Sequence, residues 1–344
     1  MPPTIAHLNG SVNLPDAETV MRQVLGRIPR GLRRVPDGET GRRGGWIFFQ
    51  FLKFQQTAGL ELRRPDRRAA ARTRPKIVLR DAVESVEWPD LGYAEAYEAS
   101  YEIFRGLDEE GIVPPGVRFQ AEYPTPLASI ASFIAPEDRA ALEPSYEQAL
   151  FADLQALLRA VPHERIAVQW DVAVEFAMLE LPEVWGYQDL DALAGRVARC
   201  LDEVPDDVPA GAHLCYGDAG HKHFKQPESL ELQVQMMNAV GERARRPVSW
   251  FSITVPQAVR DPAYFAPLAD LRAEDTTELY FALVPYHPAA QPAGTTEEQA
   301  RLIDERLRGR EWGICTECGM GRVEREQVPA MLDCHREILT RFGA

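Results

Sequence analysis

Three residues of this chain have the types and the spacing of a metal site. His213 and Cys215 alternate along a short apolar segment, so their side chains face the same way if that segment is a β-strand. Cys318 follows a second apolar segment, which begins at Trp312. An imidazole and two thiolates suit Zn²⁺ and leave one position for a substrate or a fourth ligand. The sequence therefore predicts a zinc site of His213, Cys215 and Cys318, if the fold brings the distant cysteine back to the other two.

Other uses of the cysteines and histidines stay open. Cys315 and Cys318 form a C-x-x-C pair, typical of redox sites and zinc knuckles, but a knuckle needs a second such pair and the sequence has none. We expect Cys315 to pack within a strand. His221 and His223 could also bind a metal, although a polar run after a glycine is more often an exposed loop. The odd number of cysteines, five, disfavours a disulfide framework.

Three acidic residues are candidates for acid-base catalysis or for binding a cationic group. Asp37 and Glu39 flank a glycine, so their backbone is open to close approach by a ligand. Asp171 ends an apolar segment. The alternative roles are structural: a salt bridge to Arg42 or Arg43 for the first two acids, and capping of the following loop for Asp171.

The elements that would position these residues alternate between strands and helices. Eight strand candidates lie near residues 5, 32, 117, 166, 211, 249, 280 and 313, and most precede a helical pattern. This alternation predicts a (β/α)8 TIM barrel, one domain over residues 1–344, with an excursion from the core at about 55–92, between the second and third strands. Barrel enzymes keep their sites at the carboxyl ends of the strands. Polar residues lie at or just past those ends: Ser11, Asp37, Glu39, Asp171, His213, Cys215, Thr254, His287 and Cys318.

Two helical segments carry more local predictions. The aromatic run from 46 to 54 is expected to be a buried helix or a wall of the pocket. A strong helical pattern covers 143–161, and Ser145 is expected to cap its start.

Composition excludes some classes of partner. The 344 residues are 45% hydrophobic and 26% charged, as in soluble globular proteins, and no apolar run approaches the roughly 18 residues of a membrane span. A net charge of −14 disfavours nucleic acid as a partner. The amino terminus lacks the pattern of a secretory signal, so we expect a cytoplasmic protein that binds a small molecule, with its oligomeric state open.

Several short motifs, taken in order, resemble the catalytic barrel of cobalamin-independent methionine synthase, in the superfamily shared with uroporphyrinogen decarboxylase. The resemblance covers essentially the whole chain. Its motifs are Gly10-Ser11, Gly38-Glu39, Tyr123-Pro-Thr-Pro-Leu127, Gln169-Trp-Asp171, His213-Leu-Cys215 and Glu317-Cys-Gly-Met320.

The resemblance implies roles for these residues. Gly10 and Ser11 would hold the carboxylate of an amino-acid-like substrate, and Glu39 and Asp171 its ammonium or another polar group. The zinc ligands would be His213, Cys215 and Cys318. Apart from these roles, we predict that Tyr123 and His287, which lies just past a strand end, line the substrate site.

The chain departs from that pattern in three respects. It has one barrel where the full-length synthase has two. Thr254 stands near the position of an expected zinc-binding Glu, and Val172 follows Asp171 where a second acid is expected. The site would then have three protein ligands or recruit a fourth from the set Asp218, His221 and Glu317.

The first hypothesis for function is a zinc-dependent methyl or alkyl transferase, in which a thiol acceptor becomes a metal-bound thiolate and a folate or corrinoid is a possible methyl donor. A second hypothesis is a lyase or decarboxylase on the same barrel, with Asp37, Glu39 and Asp171 as the acid-base groups. A third is a barrel that binds a small molecule without catalysis.

Overall fold

Eight parallel strands form one sheet at the centre of the molecule. The computed structural model describes residues 3–64, 75–83, 85–186, 188–217, 222–286, 288 and 291–343. In spatial order the strands of the sheet are β1 (Ile5–Ala6), β10 (Gly313–Ile314), β9 (Glu278–Phe281), β8 (Trp250–Ile253), β7 (Ala210–Leu214), β6 (Ile166–Val172), β5 (Arg118–Pro124) and β2 (Arg34–Pro36). All seven neighbouring pairs are parallel. Each of the eight predicted strands is present.

The sheet is curled, and its two end strands approach each other. The backbone N–H of Ala6 donates a hydrogen bond to the carbonyl of Gly31 (3.0 Å), and Ala6 forms an isolated parallel bridge with Leu32, just before β2. A mixed α/β fold with a curled eight-stranded parallel sheet is consistent with a TIM-like barrel. Closure around the full circle stays a prediction.

Helices follow most of the strands and cover the outside of the sheet. They are α1 (Ala17–Arg27), α2 (Phe48–Gln56), α3 (Tyr93–Glu109), α4 (Pro126–Phe133), α5 (Arg139–Ala160), α6 (Val174–Glu180), α7 (Pro182–Trp185), α8 (Leu190–Asp202), α9 (Glu231–Arg243), α10 (Pro262–Phe265), α11 (Thr295–Leu307) and α12 (Val328–Arg341). Helix α1 shows how the local sequence specifies a helix. Asp16 caps it by accepting a hydrogen bond from Thr19 N (2.8 Å), and its apolar face is buried against the sheet. Within the described residues, no helix is both long and apolar enough to cross a membrane.

The predicted cap of α5 is wrong. The helix begins at Arg139, so Ser145 lies inside it, where its hydroxyl donates to the Leu142 carbonyl (3.1 Å) and accepts from Trp88 Nε1 (2.9 Å). Pro144 also lies inside the helix, near its amino end, although a proline is more often found at a helix start.

The segment between β2 and β5 contains α2 and an antiparallel hairpin, β3 (Leu60–Arg63) with β4 (Lys76–Leu79), which is separate from the eight-stranded sheet. Leu60 and Ile77 are buried, so the hairpin packs against the core. The excursion predicted for 55–92 lies partly outside the described residues and stays a prediction. Helix α2 is only partly buried, since Phe48 and Leu52 are 51% and 60% exposed.

Side chains alternate between the two faces of the central strands. On β6, Trp170 points outward and packs against Phe151 of α5, at 6.1 Å between ring centroids. Gln169 points inward, where its Oε1 lies 2.7 Å from Nε2 of His7 on the segment after β1. The inward positions of this parallel sheet therefore carry polar groups, in addition to the residues at the strand ends.

Candidate metal and substrate site

His213, Cys215 and Cys318 lie together, as the sequence predicts. His213 is on β7, Cys215 directly follows that strand, and Cys318 is in the turn after β10. One ligand atom from each of the three lies within 4.8 Å of the other two. The two sulfur atoms are 3.4 Å apart. Two thiols and an imidazole at this separation form a donor set that fits Zn²⁺.

Neighbouring groups orient the three side chains. Nδ1 of His213 lies 2.8 Å from the hydroxyl oxygen of Ser252 on β8, which makes Nε2 the nitrogen for a metal. The backbone N–H of Gly217 donates to the sulfur of Cys215 (3.3 Å). The backbone N–H of Cys318 donates to the hydroxyl of Tyr286 (2.9 Å). Each candidate ligand is therefore held by a partner of its own.

The electrostatic environment distinguishes the site cysteines from Cys315. The Cys318 thiol, followed by the imidazole of His213, holds the pKa of the Cys215 thiol well below its ordinary value, against the opposing effect of burial. Burial raises the pKa of Cys315 to about 12. A thiolate is the metal-binding form of cysteine, so Cys215 is suited to a metal and Cys315 is an inert core residue. The packed role predicted for Cys315 agrees with this environment.

Thr254 takes a structural role at the position where an acidic ligand was expected. Its hydroxyl oxygen lies 2.8 Å from the carbonyl oxygen of Leu214 and 3.2 Å from that of Glu317. These are the residues that immediately precede Cys215 and Cys318. Thr254 therefore links the two backbone segments that carry the cysteines.

Within the described part of the chain, no fourth His, Cys, Asp or Glu joins the cluster. Glu317, one of the candidates for a fourth ligand, instead places its carboxylate 3.3 Å from Nε2 of His223, and the Glu317 carboxylate raises the pKa of that histidine against the effect of burial. Asp218 and His221, the other two candidates, lie outside the described residues. The described ligand set therefore has three protein groups.

A second group of polar residues, which we call the acid group, contains the three predicted acids Asp37, Glu39 and Asp171. Ser11 donates a hydrogen bond to the carboxylate of Glu39. Asp37 is fully buried and forms an ion pair with Arg43, and it also accepts from the hydroxyl of Ser100 (2.7 Å) and the backbone N–H of Glu39 (2.9 Å). The salt bridge given as the alternative for Asp37 is thus present, with Arg43 as its partner. Asp37 positions the loop that carries Glu39.

Burial raises the pKa values of the other two acids, Glu39 and Asp171. Burial, followed by the charge of Asp171, raises the pKa of Glu39 to about 8. Burial raises the pKa of Asp171 to about 6, against the opposing effect of the nearby His213. Asp171 accepts hydrogen bonds from Gln169 Nε2 (3.0 Å) and from Trp46 Nε1 (3.1 Å). Asp171 and His213 are paired in the register of the neighbouring strands β6 and β7, so Asp171 lies beside the candidate metal ligands.

The sequence also predicts that Tyr123 and His287 line the substrate site. Tyr123 points to the outer face of β5, where its hydroxyl donates to Asp153 of α5 (3.0 Å) and its ring packs against Trp170. It therefore does not face the site, because the inward positions of β5 are the neighbouring ones. His287 lies outside the described residues.

The sequence analysis missed two residues of the acid group, Glu122 and Trp46. Glu122 is fully buried, and Oε1 accepts a hydrogen bond from Gln120 Nε2 (2.7 Å). Burial, followed by the charges of Asp37, Glu39 and Asp171, raises its pKa well above the ordinary value. Alternation along β5 could have found it, since Gln120 and Glu122 occupy every second position. Trp46 begins the aromatic run predicted as a buried helix or a wall of the pocket, but no local signal indicated that it donates to an acid 125 positions away.

The comparisons with known proteins give similarity of structure only. No protein-family model and no curated protein matches the chain. A protein from Listeria monocytogenes assigned as a vitamin-B12 independent methionine synthase aligns over 100% of this chain and 99% of its own, with a TM-score of 0.60 and 12% identity. A B12-independent methionine synthase from Shewanella sp. W3-18-1, solved in complex with selenomethionine, aligns over 99% and 98%, with a TM-score of 0.63 and 14% identity. A methyltransferase from Methanosarcina mazei aligns over 98% and 94%, with a TM-score of 0.51 and 13% identity. The chain therefore shares its fold, over its whole length, with B12-independent methionine synthases and a methyltransferase.

Proposed function

We propose that this chain is a zinc-dependent methyl or alkyl transferase that acts on a thiol acceptor. The observation that carries the proposal is the meeting of His213, Cys215 and Cys318, which come from two strands about a hundred residues apart in sequence and place their ligand atoms within 4.8 Å of one another. The fold shared with methionine synthases and a methyltransferase supports the same class of reaction. The proposal includes one domain over 1–344 whose sheet closes into a (β/α)8 barrel.

His213, Cys215 and Cys318 would hold the zinc ion, and three protein ligands leave one position for the acceptor thiol. Bound zinc supplies one chemical property, because it lowers the pKa of a coordinated thiol so that a thiolate is available near neutral pH. In a transfer of this class the alkyl carbon would form its bond to the acceptor sulfur as its bond to the donor breaks, and the donor would leave with that electron pair. A folate or a corrinoid is a candidate class of donor.

The residues of the acid group would orient the rest of the acceptor. Gly10 and Ser11 lie in the segment that follows β1 and would bind a carboxylate, while Glu39 and Asp171 would bind an ammonium. Asp171 is paired with His213 in the register of β6 and β7, so the amino-acid end and the sulfur of an amino-acid-like thiol could be bound at once. The Shewanella relative was solved with selenomethionine, an amino acid, which favours a ligand of this class.

Metal analysis of the purified protein tests the proposal. We expect about one zinc ion per chain, and loss of most of it in His213→Ala and in Cys318→Ser. Cys334→Ser is the matched control, because Cys334 lies on α12 and outside the cluster. Zinc-loaded protein should transfer a methyl group to a thiol in a panel of donors and acceptors. Full activity in metal-free protein would contradict the proposal.

One observation favours a lyase or decarboxylase as the second candidate. A carboxyl group with a pKa of about 8, such as Glu39, can hold a proton at neutral pH and act as a general acid. In that case removal of zinc by a chelator should leave the rate unchanged, whereas Glu39→Gln should abolish it. The opposite pattern supports the transferase.

A further inference from the structure

Glu122 is a buried carboxyl group to which the proposed function gives no role. It has no exposed surface, and the described residues provide no hydrogen-bond partner for its Oε2, although Oε1 accepts from Gln120. A buried acceptor without a partner costs free energy, so such atoms are rare in folded proteins. The missing partner can be an atom of a ligand.

The position of Glu122 is rigidly defined. Tyr97 donates its hydroxyl hydrogen to the carbonyl of Glu122 and accepts a hydrogen bond from the backbone N–H of the same residue (2.9 Å). Gln120, two residues earlier on β5, holds Oε1 and also donates to the carbonyl of Leu8 (2.8 Å). The unpartnered oxygen is therefore presented by a side chain fixed at its backbone and at its other oxygen.

The surroundings of Glu122 are rich in acidic side chains. Burial has the largest effect on the pKa of Glu122. The charges of Asp37, Glu39 and Asp171 follow, in decreasing order of their effect. Asp37 is compensated by its ion pair with Arg43. In the part of the chain that the structure describes, no Lys or Arg forms an ion pair with Glu39, Glu122 or Asp171. Three carboxyl groups without an ion pair to Lys or Arg suit a ligand that brings a positive charge.

Glu122 also contacts the segment proposed to bind the ligand carboxylate. Gly10 has a φ of +106°, and a β-carbon added there would lie 3.1 Å from Cγ of Glu122. The backbone of Gly10 and the side chain of Glu122 thus form adjacent parts of one wall. A ligand held by Gly10 would have its neighbouring atoms beside the carboxyl group of Glu122.

We propose that Glu122 determines substrate specificity: with Glu39 and Asp171 it provides three acceptors for the three N–H hydrogens of a primary ammonium group. The proposal deepens the proposed function and rests on it, because it specifies the acceptor as a primary amine. An N,N-dimethylated amine offers one N–H hydrogen and cannot satisfy three carboxyl groups. A site built around buried hydrogen bonds rejects analogues that leave its polar groups unpaired.

The test compares binding of L-methionine and N,N-dimethyl-L-methionine by isothermal titration calorimetry in the zinc-loaded full chain. We expect the natural chain to bind L-methionine at least roughly tenfold more tightly than the dimethyl compound, as expected for the loss of two charge-assisted hydrogen bonds. Glu122→Gln keeps the shape of the side chain and should lose most of that preference.

Zinc content, measured on both proteins, separates this proposal from the proposed function. A natural chain that holds zinc and binds both compounds equally, or neither, contradicts the role of Glu122 and leaves the zinc site standing. A preference that survives unchanged in Glu122→Gln also contradicts it. Even if the variant folds poorly, equal binding of the two ligands by the natural chain still contradicts the proposal, whereas a preference is assigned to Glu122 only through the variant.

Discussion

The hydroxyl oxygen of Thr254 lies 3.2 Å from the carbonyl oxygen of Glu317, on the segment that carries Cys318. The same oxygen lies 2.8 Å from the carbonyl oxygen of Leu214, which precedes Cys215. One side chain at the end of β8 thus links the carboxyl ends of two other strands of the sheet. Its own backbone is held by Gln233 of α9, whose amide donates to the Thr254 carbonyl (2.8 Å) and accepts from its N–H (2.9 Å).

Thr254→Val should loosen the link between these segments, because it removes the single hydroxyl hydrogen available to the two carbonyl groups. We expect the free energy of unfolding to fall by about 1 to 2 kcal/mol and zinc to be lost more readily to a chelator. Thr254→Ser keeps the hydroxyl and is the control. Urea unfolding and chelator competition measure the two effects. Equal zinc retention in the two variants would mean that Thr254 does not position the cysteines.

Glu39 should make the protein less stable as the pH rises. The pKa of Glu39 in the folded chain is about 8, above its ordinary value of 4.5, because burial and Asp171 disfavour the charged form. Below about pH 4.5 the group is protonated in both states, so it carries no penalty. Between the two values the unfolded chain releases the proton and the folded chain keeps it, so the free energy of unfolding falls with rising pH. The decline amounts to roughly 1.4 kcal/mol for each unit of pKa difference, less where the acids are coupled.

Glu39→Gln removes the titrating group and should flatten that decline. Urea midpoints between about pH 5 and pH 8.5 measure it, in metal-free protein so that metal release does not contribute. Glu326→Gln, at an exposed position, should leave the decline unchanged. A curve for Glu39→Gln that follows the natural protein would assign the pH dependence to other groups.

Local patterns in the sequence predict the strands and the meeting of His213, Cys215 and Cys318. Each of the eight strands begins within a few residues of its predicted place, since alternation and apolar runs are properties of the segment itself. His213 and Cys215 share a face because they are two residues apart on one strand. The parallel order of strands brings Cys318 to them, which follows once the sheet is assigned.

Pairings between distant segments could not be predicted in this way. Ser145 has the type of a helix cap, but the hydrogen bond it makes with Trp88 depends on the packing of the segment before α3. Tyr123 and Glu122 are neighbours on β5, and choosing which of them faces the interior requires the phase of the strand. The family pattern directed attention to the Tyr123 motif, whereas the inward polar residue is Glu122.

Gly211 on β7 should not tolerate a side chain. A β-carbon there would lie 2.1 Å from Cδ2 of Trp250, whose ring is confined by the guanidinium of Arg34 at 3.9 Å from its centroid. Gly211→Ala should lower the free energy of unfolding by about 2 to 3 kcal/mol and, because His213 is two residues away, reduce zinc content. Gly195→Ala in α8 is the control, since nothing lies within 4 Å of the added carbon and alanine favours a helix. Thermal unfolding measures the effect. If Gly211→Ala and Gly195→Ala unfold at the same temperature, the packing of Gly211 against Trp250 is contradicted.

Cys215 and Cys318 should form a disulfide when the metal is absent and a thiol oxidant is supplied. Their sulfur atoms are 3.4 Å apart and need to approach to about 2.05 Å, a small movement for two side chains in turns. Diamide would take the two thiol hydrogens and become the hydrazine as the sulfur–sulfur bond forms. Cys315, fully buried with a pKa of about 12, should remain a thiol.

Peptide mass spectrometry after alkylation identifies the pair, and Cys318→Ser should abolish it. Zinc-loaded protein should react at least roughly tenfold more slowly, because both thiolates are then metal ligands. Equal rates with and without zinc would place the metal elsewhere.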